Sequence, residues 1–123
     1  MSSRQALKAA LQEQMPETIL VTADAGNLTT LDPSMIGGVQ IVGGGWAPAP
    51  YEGQMVANWE LWLYIESTDP EIVEDQLESL WAEVHELING IGWIDWTAAE
   101  ITAHPDGPQA VRVTAQTITT TSS

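Results

Sequence analysis

The stretch Ala57-Asn58-Trp59-Glu60-Leu61-Trp62-Leu63-Tyr64-Ile65-Glu66, followed by the run from Pro70 to Asn89, decides the fold. In the first segment the odd positions are all apolar: Ala57, Trp59, Leu61, Leu63 and Ile65. The even positions mix Asn58, Glu60 and Glu66 with Trp62 and Tyr64. A period of two places these sets on opposite faces of a strand. After Pro70 the period changes. Val73, Leu77, Leu80, Val84, Leu87 and Ile91 step by 4, 3, 4, 3 and 4, which is one apolar stripe along a helix. Thr68 and Glu71 have capping-box spacing, Pro70 suits a first turn, and Asn89 or Gly90 is the stop. A strand with one apolar face beside a helix with one apolar stripe predicts an α+β domain, each element covering the other.

Working outward, residues 3–14 read as a short amphipathic helix with Leu7, Ala10 and Leu11 at helical spacing, ended by Pro16. Glu17 to Ala23 reads as a strand with Ile19 and Val21 on one face, and Val39 to Val42 as a shorter one. Gly43 to Pro50 is too rich in Gly and Pro for regular structure, so a long loop is expected through Gly53. Beyond the main helix, a connector rich in Gly and Trp leads to a strand over Thr97 to Ala103. Pro105-Asp106-Gly107-Pro108 is a turn, and Gln109 to about Thr119 is the returning hairpin strand. The expected order is α-β-β-β-α-β-β: a single, mostly antiparallel sheet packed against a long acidic helix. Residues 1–118 form the domain and 119–123 a flexible tail.

Charge narrows the function. Seventeen Asp and Glu face three Lys and Arg, a net charge of −14 on 123 residues. Gripping a phosphate backbone takes several Lys or Arg to displace counterions, and this chain lacks them. Its field repels nucleic acid and anionic membrane alike. At 44% hydrophobic residues the chain nonetheless has enough apolar content to fold. The absence of Cys removes disulfides, thiolate chemistry and Cys-ligated metals, and suits a reducing compartment. No apolar run approaches a membrane span and no signal-peptide core follows Met1, so a soluble cytoplasmic product is expected.

Catalytic patterns fail in turn. The glycines at 43–45 lack the Lys-Ser/Thr of a P-loop. His85-Glu86 lacks the second His of a zincin helix, so His85 reads as a helix-surface side chain. His104 reads as a strand-end residue. Acids are so abundant that no carboxylate pair stands out, and Asp24-Ala25-Gly26-Asn27 is too sparse for a calcium loop. The expectation is a non-enzyme with no cofactor and no metal.

Three surfaces remain as candidates. The first is a stiffened aromatic loop, Trp46, Pro48, Pro50 and Tyr51, suited to anchoring a partner. The second is the acidic helix face, Glu71, Glu74, Asp75 and Glu78, where like charges four apart have no interspersed Lys. It reads as a solvated face, or as one that lines a passage or meets a basic partner. The third is an inter-subunit sheet surface, Trp62, Tyr64, Thr117 and Thr119. The last strand is uncharged from Val113 onward, which on an open edge invites another chain. A strand already paired on both sides would carry the same composition. Trp62 and Tyr64 need cover, from helix 3–14 or from a neighbouring subunit.

The chain resembles the tail terminator, or tail completion, proteins of long-tailed bacteriophages. The resemblance spans about Arg4 to Thr119. It lies in the Arg4-Gln5-Ala6-Leu7-Lys8-Ala9-Ala10-Leu11 helix leading to a strand, the long loop, and Trp59-Glu60-Leu61-Trp62-Leu63-Tyr64-Ile65 ahead of Asp69-Pro70-Glu71. An acidic helix and a final two-strand hairpin complete it. It is a similarity of size and element order and brings no catalytic residues. It implies a virion protein made in the host cytoplasm, a ring of typically six copies at the head-proximal end of the tail tube. Its partners would be its own copies, the tail tube protein and the head–neck connector, with DNA passing through an acidic lumen without specific binding. Alternatives are another neck or tail component, such as a connector stopper or the tube protein, and an acidic inhibitor that mimics DNA.

Overall fold

The computed structural model describes residues 3–23, 28–48, 53–67 and 69–120, with residues 3, 119 and 120 described by backbone alone. The element order is α1 (Ser3–Gln14), β1 (Ile19–Thr22), β2 (Gly37–Pro48), β3 (Gln54–Tyr64), α2 (Val73–Asn89), β4 (Ile94–Ala103) and β5 (Gln109–Thr120). The five strands form one sheet in the order β1-β2-β3-β5-β4. β1 runs parallel to β2, and every other pairing is antiparallel. The domain is α+β with a mixed sheet.

The period-two reading of β3 holds at both faces. Ala57, Trp59, Leu61 and Leu63 join Val39 and Ile41 of β2 and Val111, Val113 and Ala115 of β5 in the main core. Cross-strand register explains the grouping, because Val39 faces Leu63, Ile41 faces Leu61 and Val113 faces Leu61 from the other side. Both helices cover this face. Leu7 and Leu11 of α1 and Leu77, Leu80, Val84 and Ile88 of α2 are buried in the same cluster. Burying each such side chain stabilises the fold by about 1.5–3 kcal/mol. Gly37 and Gly38 open β2 because both faces are crowded there. A Cβ on Gly37 would approach the Leu80 side chain to 2.5 Å, and one on Gly38 the Tyr64 ring to 2.5 Å.

Several boundaries depart from the sequence expectation. α2 begins at Val73, not Pro70, with Ile72 as a cap residue that makes no side-chain hydrogen bond. Asp69 organises this end: its carboxylate accepts from the Glu71 N–H and its carbonyl from the Ile72 and Val73 N–H groups. Thr68 lies outside the described residues. The buried stripe follows Leu77, Leu80, Val84 and Ile88, so Leu87 is only partly buried. On a helix of 3.6 residues per turn a strict 4-3 alternation drifts by about 20° per seven residues, which turns the stripe toward Ile88 near the helix end. β1 is limited to Ile19–Thr22, and β4 starts at Ile94, three residues earlier than Thr97. The C-terminal strand continues to Thr120, past the boundary at 119, and residues 121–123 lie outside the described residues.

The largest departure is at Gly43 to Pro48, expected as loop and found as the distal half of β2. Pairing with β3 continues from Gly45 opposite Asn58 to Pro48 opposite Met55. The register shifts between Gly43 and Gly45, and Gly45 has φ +99°, a conformation open to glycine at little penalty. These glycines build a bulge that keeps the strand paired. Pro48 is tolerated because no strand lies on the far side of this half of β2 among the described residues.

Candidate functional site

The second face of the sheet is sealed by the chain itself. Leu31, Trp62, Tyr64 and Ala110 form a smaller buried cluster, with Leu20, Leu28, Met35 and Val42 packed around it. Residues 28–35 lie over it as a cover. The Tyr64 hydroxyl donates to the Thr29 carbonyl at 2.7 Å, and the Leu31 N–H donates to Glu66 Oε1 at 2.7 Å. The Leu28 N–H donates to Asp106 Oδ2 at 3.0 Å, tying the cover to the β4–β5 turn. Burial, with the Glu66 carboxylate adding to it, raises the Tyr64 hydroxyl above its ordinary pKa, while the bond to Thr29 opposes the shift. Trp62 and Tyr64 therefore belong to an intramolecular core, with neither α1 nor a neighbouring subunit as their cover.

Among the other members of the expected inter-subunit surface, Thr117 is corrected for a related reason. From Val111 to Thr117 β5 is an inner strand, paired to β3 on one side and β4 on the other, while Ile118 to Thr120 pair with β3 alone. Thr117 is buried and accepts a 3.0 Å hydrogen bond from Trp59 Nε1. Thr119 pairs through its backbone opposite Met55, and its side chain lies outside the described residues. The uncharged composition from Val113 to Thr117 reflects burial between two neighbours, whereas Ile118 beyond β4 is exposed. Among the described residues the longer edges open to addition lie elsewhere. One is the outer side of β4. The other is the outer side of β1 together with the distal half of β2, where β1 covers only Gly37 to Gln40.

The expected aromatic loop is divided. Trp46 and Pro48 stand on β2, while Pro50 and Tyr51 lie outside the described residues. Trp46 is 67% exposed. It borders a cavity of about 600 Å³ with Arg4 and Gln5 of α1 and Trp59 of β3.

The acidic set is divided too. Glu71 precedes α2, and Glu74, Asp75 and Glu78 are exposed on it. Glu74 and Glu78 share a flank with Trp81 and His85, at steps of 4, 3 and 4. On that flank the His85 ring contacts Trp81 and Trp96 edge-on or tilted, with centroids 5.3 and 5.2 Å away. Asn89 bridges the pair, its amide nitrogen 3.1 Å from His85 Nε2 and its oxygen accepting from Trp96 Nε1. His85 is thus half-buried in an aromatic cluster on the helix surface. Asp75 takes the opposite flank. It meets Glu83 and Glu66 around a groove of about 690 Å³ whose apolar lining includes Ile36, Ile65, Ile72 and Leu80. Sequence periodicity concealed this groove, because Ile36 and Glu66 come from segments outside the helix.

His104 is more than a strand end. It is buried, with Trp62 packed edge-on at 4.8 Å, and its Nε2 lies 2.7 Å from Gln40 Oε1. Burial lowers its pKa, and the nearby Asp106 carboxylate opposes part of that shift. Its polar contacts join β2 to the β4–β5 turn, a fastening role. Among the described residues no group of three or more His, Cys, Asp or Glu is placed to hold a metal ion, and no helix is long and apolar enough to cross a membrane. The sequence matches no known protein-family profile and no curated protein.

Proposed function

We propose that the chain is a structural assembly subunit, a tail terminator of the long-tailed bacteriophage type. It closes head-to-tail into a ring, typically of six copies, at the head-proximal end of the tail tube in the virion. The ring caps the tube, stops its polymerisation and joins it to the head–neck connector. The role is mechanical, without catalysis or cofactor.

One observation carries the reading: among the described residues the sheet has unlike open edges on opposite sides, β4 on one and β1 with the distal half of β2 on the other. Unlike surfaces that pair give a heterologous contact, which repeats head-to-tail and either closes as a ring or runs on as a filament. Ile101, 40% exposed on β4, and Trp46 on β2 give each edge an apolar side chain to bury. The charge supports a lumen for DNA. A wall with 17 acids against three bases repels a polyanion at every position, so the genome slides without sticking. Repulsion decays over about 8 Å at physiological salt, which matters across a narrow channel.

The test is native mass spectrometry with negative-stain imaging of the purified protein, alone and with tail tubes. Rings that seat on tube ends and halt tube growth are expected. A chain that stays monomeric and never binds a tube end overturns the reading. Long tubes formed by the protein alone would make it the tube protein instead.

A further inference from the structure

From the groove between α2 and the sheet end we infer a docking site for a basic amphipathic segment of a different protein. The floor is apolar and open to solvent: Ile36 is 50% exposed and Ile72 41%, with Ile65 and Leu80 beneath them. The rim is acidic, with Glu66 on one side and Asp75 and Glu83, about two helical turns apart, on the other. The volume of about 690 Å³ is within the roughly 300–1,000 Å³ of specific ligand sites. An apolar trough between carboxylates matches one kind of occupant. This is a segment whose apolar side chains enter the trough while flanking Lys or Arg meet the rim, the helix-in-groove mode of recognition.

Charge selects among occupants. A second copy offers 17 acids and three bases, so it meets the rim mainly with like charge. Anionic lipid and nucleic acid are repelled by the same carboxylates. A cationic protein segment gains on both counts, since burying Ile36 and Ile72 is favourable and the rim steers it in. The inference stands with or without ring formation, because neither open sheet edge lines this groove.

The test uses the whole protein and a fluorescent amphipathic helix of leucine and lysine, titrated at physiological salt. Saturable binding is expected. The double variant Ile36→Ser/Ile72→Ser, both at exposed positions, is expected to weaken it about tenfold or more, a loss of the apolar contacts. A second comparison keeps net charge equal. Asp75→Asn with Glu83→Gln neutralises the rim, and Glu74→Gln with Glu78→Gln neutralises the opposite flank. The first pair is expected to weaken binding several-fold more than the second. The inference is overturned by equal effects of the two pairs, or by equal binding of a lysine peptide without leucine. It is also overturned by saturable binding to anionic vesicles through the groove, or by self-association that the Ile36/Ile72 variant abolishes.

Discussion

At His104 two hydrogen bonds of opposite sense assign the tautomer. The Asp106 N–H donates to Nδ1 at 2.9 Å, so Nδ1 is bare and the proton sits on Nε2, facing Gln40 Oε1. Burial of the ring disfavours a second proton and holds the folded pKa below the ordinary 6.5, with the Asp106 carboxylate opposing part of the shift. The sign of the linkage follows. As pH falls through 6.5 the unfolded chain takes up this proton before the folded one does, so stability declines and levels off below the folded pKa. Thermal melts from pH 7.5 down to 5.5 should show a falling Tm, with a smaller fall for His104→Gln. An identical pH slope in the variant would remove His104 as the cause. Thr117 offers a second residue-scale test. Thr117→Val keeps the shape but strands the Trp59 Nε1–H inside the core, and is expected to destabilise by about 1–3 kcal/mol in a denaturant titration. A neutral outcome would mean the indole finds another acceptor.

For single elements, the decisive distinction is between inner and edge strands. β5 looks edge-like in composition and is inner as far as Thr117. β4 carries Glu100 paired with Arg112 across the hairpin, Ile101 exposed, and a register shift between Trp96 and Ala98. The shift is a bulge of the kind that limits uncontrolled strand addition. If β4 is the edge through which copies join, Ile101→Lys should abolish ring formation by placing charge on that edge. Monomer stability should change by about 0.5 kcal/mol or less, since the side chain is already partly in water. Sedimentation paired with thermal melts reads both quantities. Rings that persist in the variant would move the joint to another surface. The α2 helix shows how far periodicity alone reaches. Its core stripe was legible to within one residue, but which acids gather on each flank depended on what the sheet placed beside them.

For the molecule as a whole, self-repulsion is the dominant electrostatic fact. Among the described residues the Arg112–Glu100 pair is exposed, where an ion pair contributes little. Fourteen uncompensated charges oppose compaction. Added sodium chloride shortens the Debye length from about 30 Å at 0.01 M to about 3 Å at 1 M, so Tm should rise by a few degrees across that range. A flat or falling Tm would show that the carboxylates are too far apart in the monomer to repel one another. In an acid-lined ring the same salt should favour assembly, because subunits bring their charges closer together.

Period and composition determined the α+β class, the order of the seven elements, the core-facing side of β3 and the large negative net charge. Each is set by local spacing or by a sum over the chain, and both are present in the unfolded polypeptide. Three things were decided only by folding. The glycines at 43–45 became a bulged strand because β3 supplied a partner, an outcome their own propensities oppose. Trp62 and Tyr64 were covered by residues 28–35, held by contacts to Glu66 and Asp106 that sequence patterns do not encode. The acidic groove arose where Ile36, Glu66 and Asp75 meet, three segments distant along the chain and adjacent only once the sheet and helix have packed.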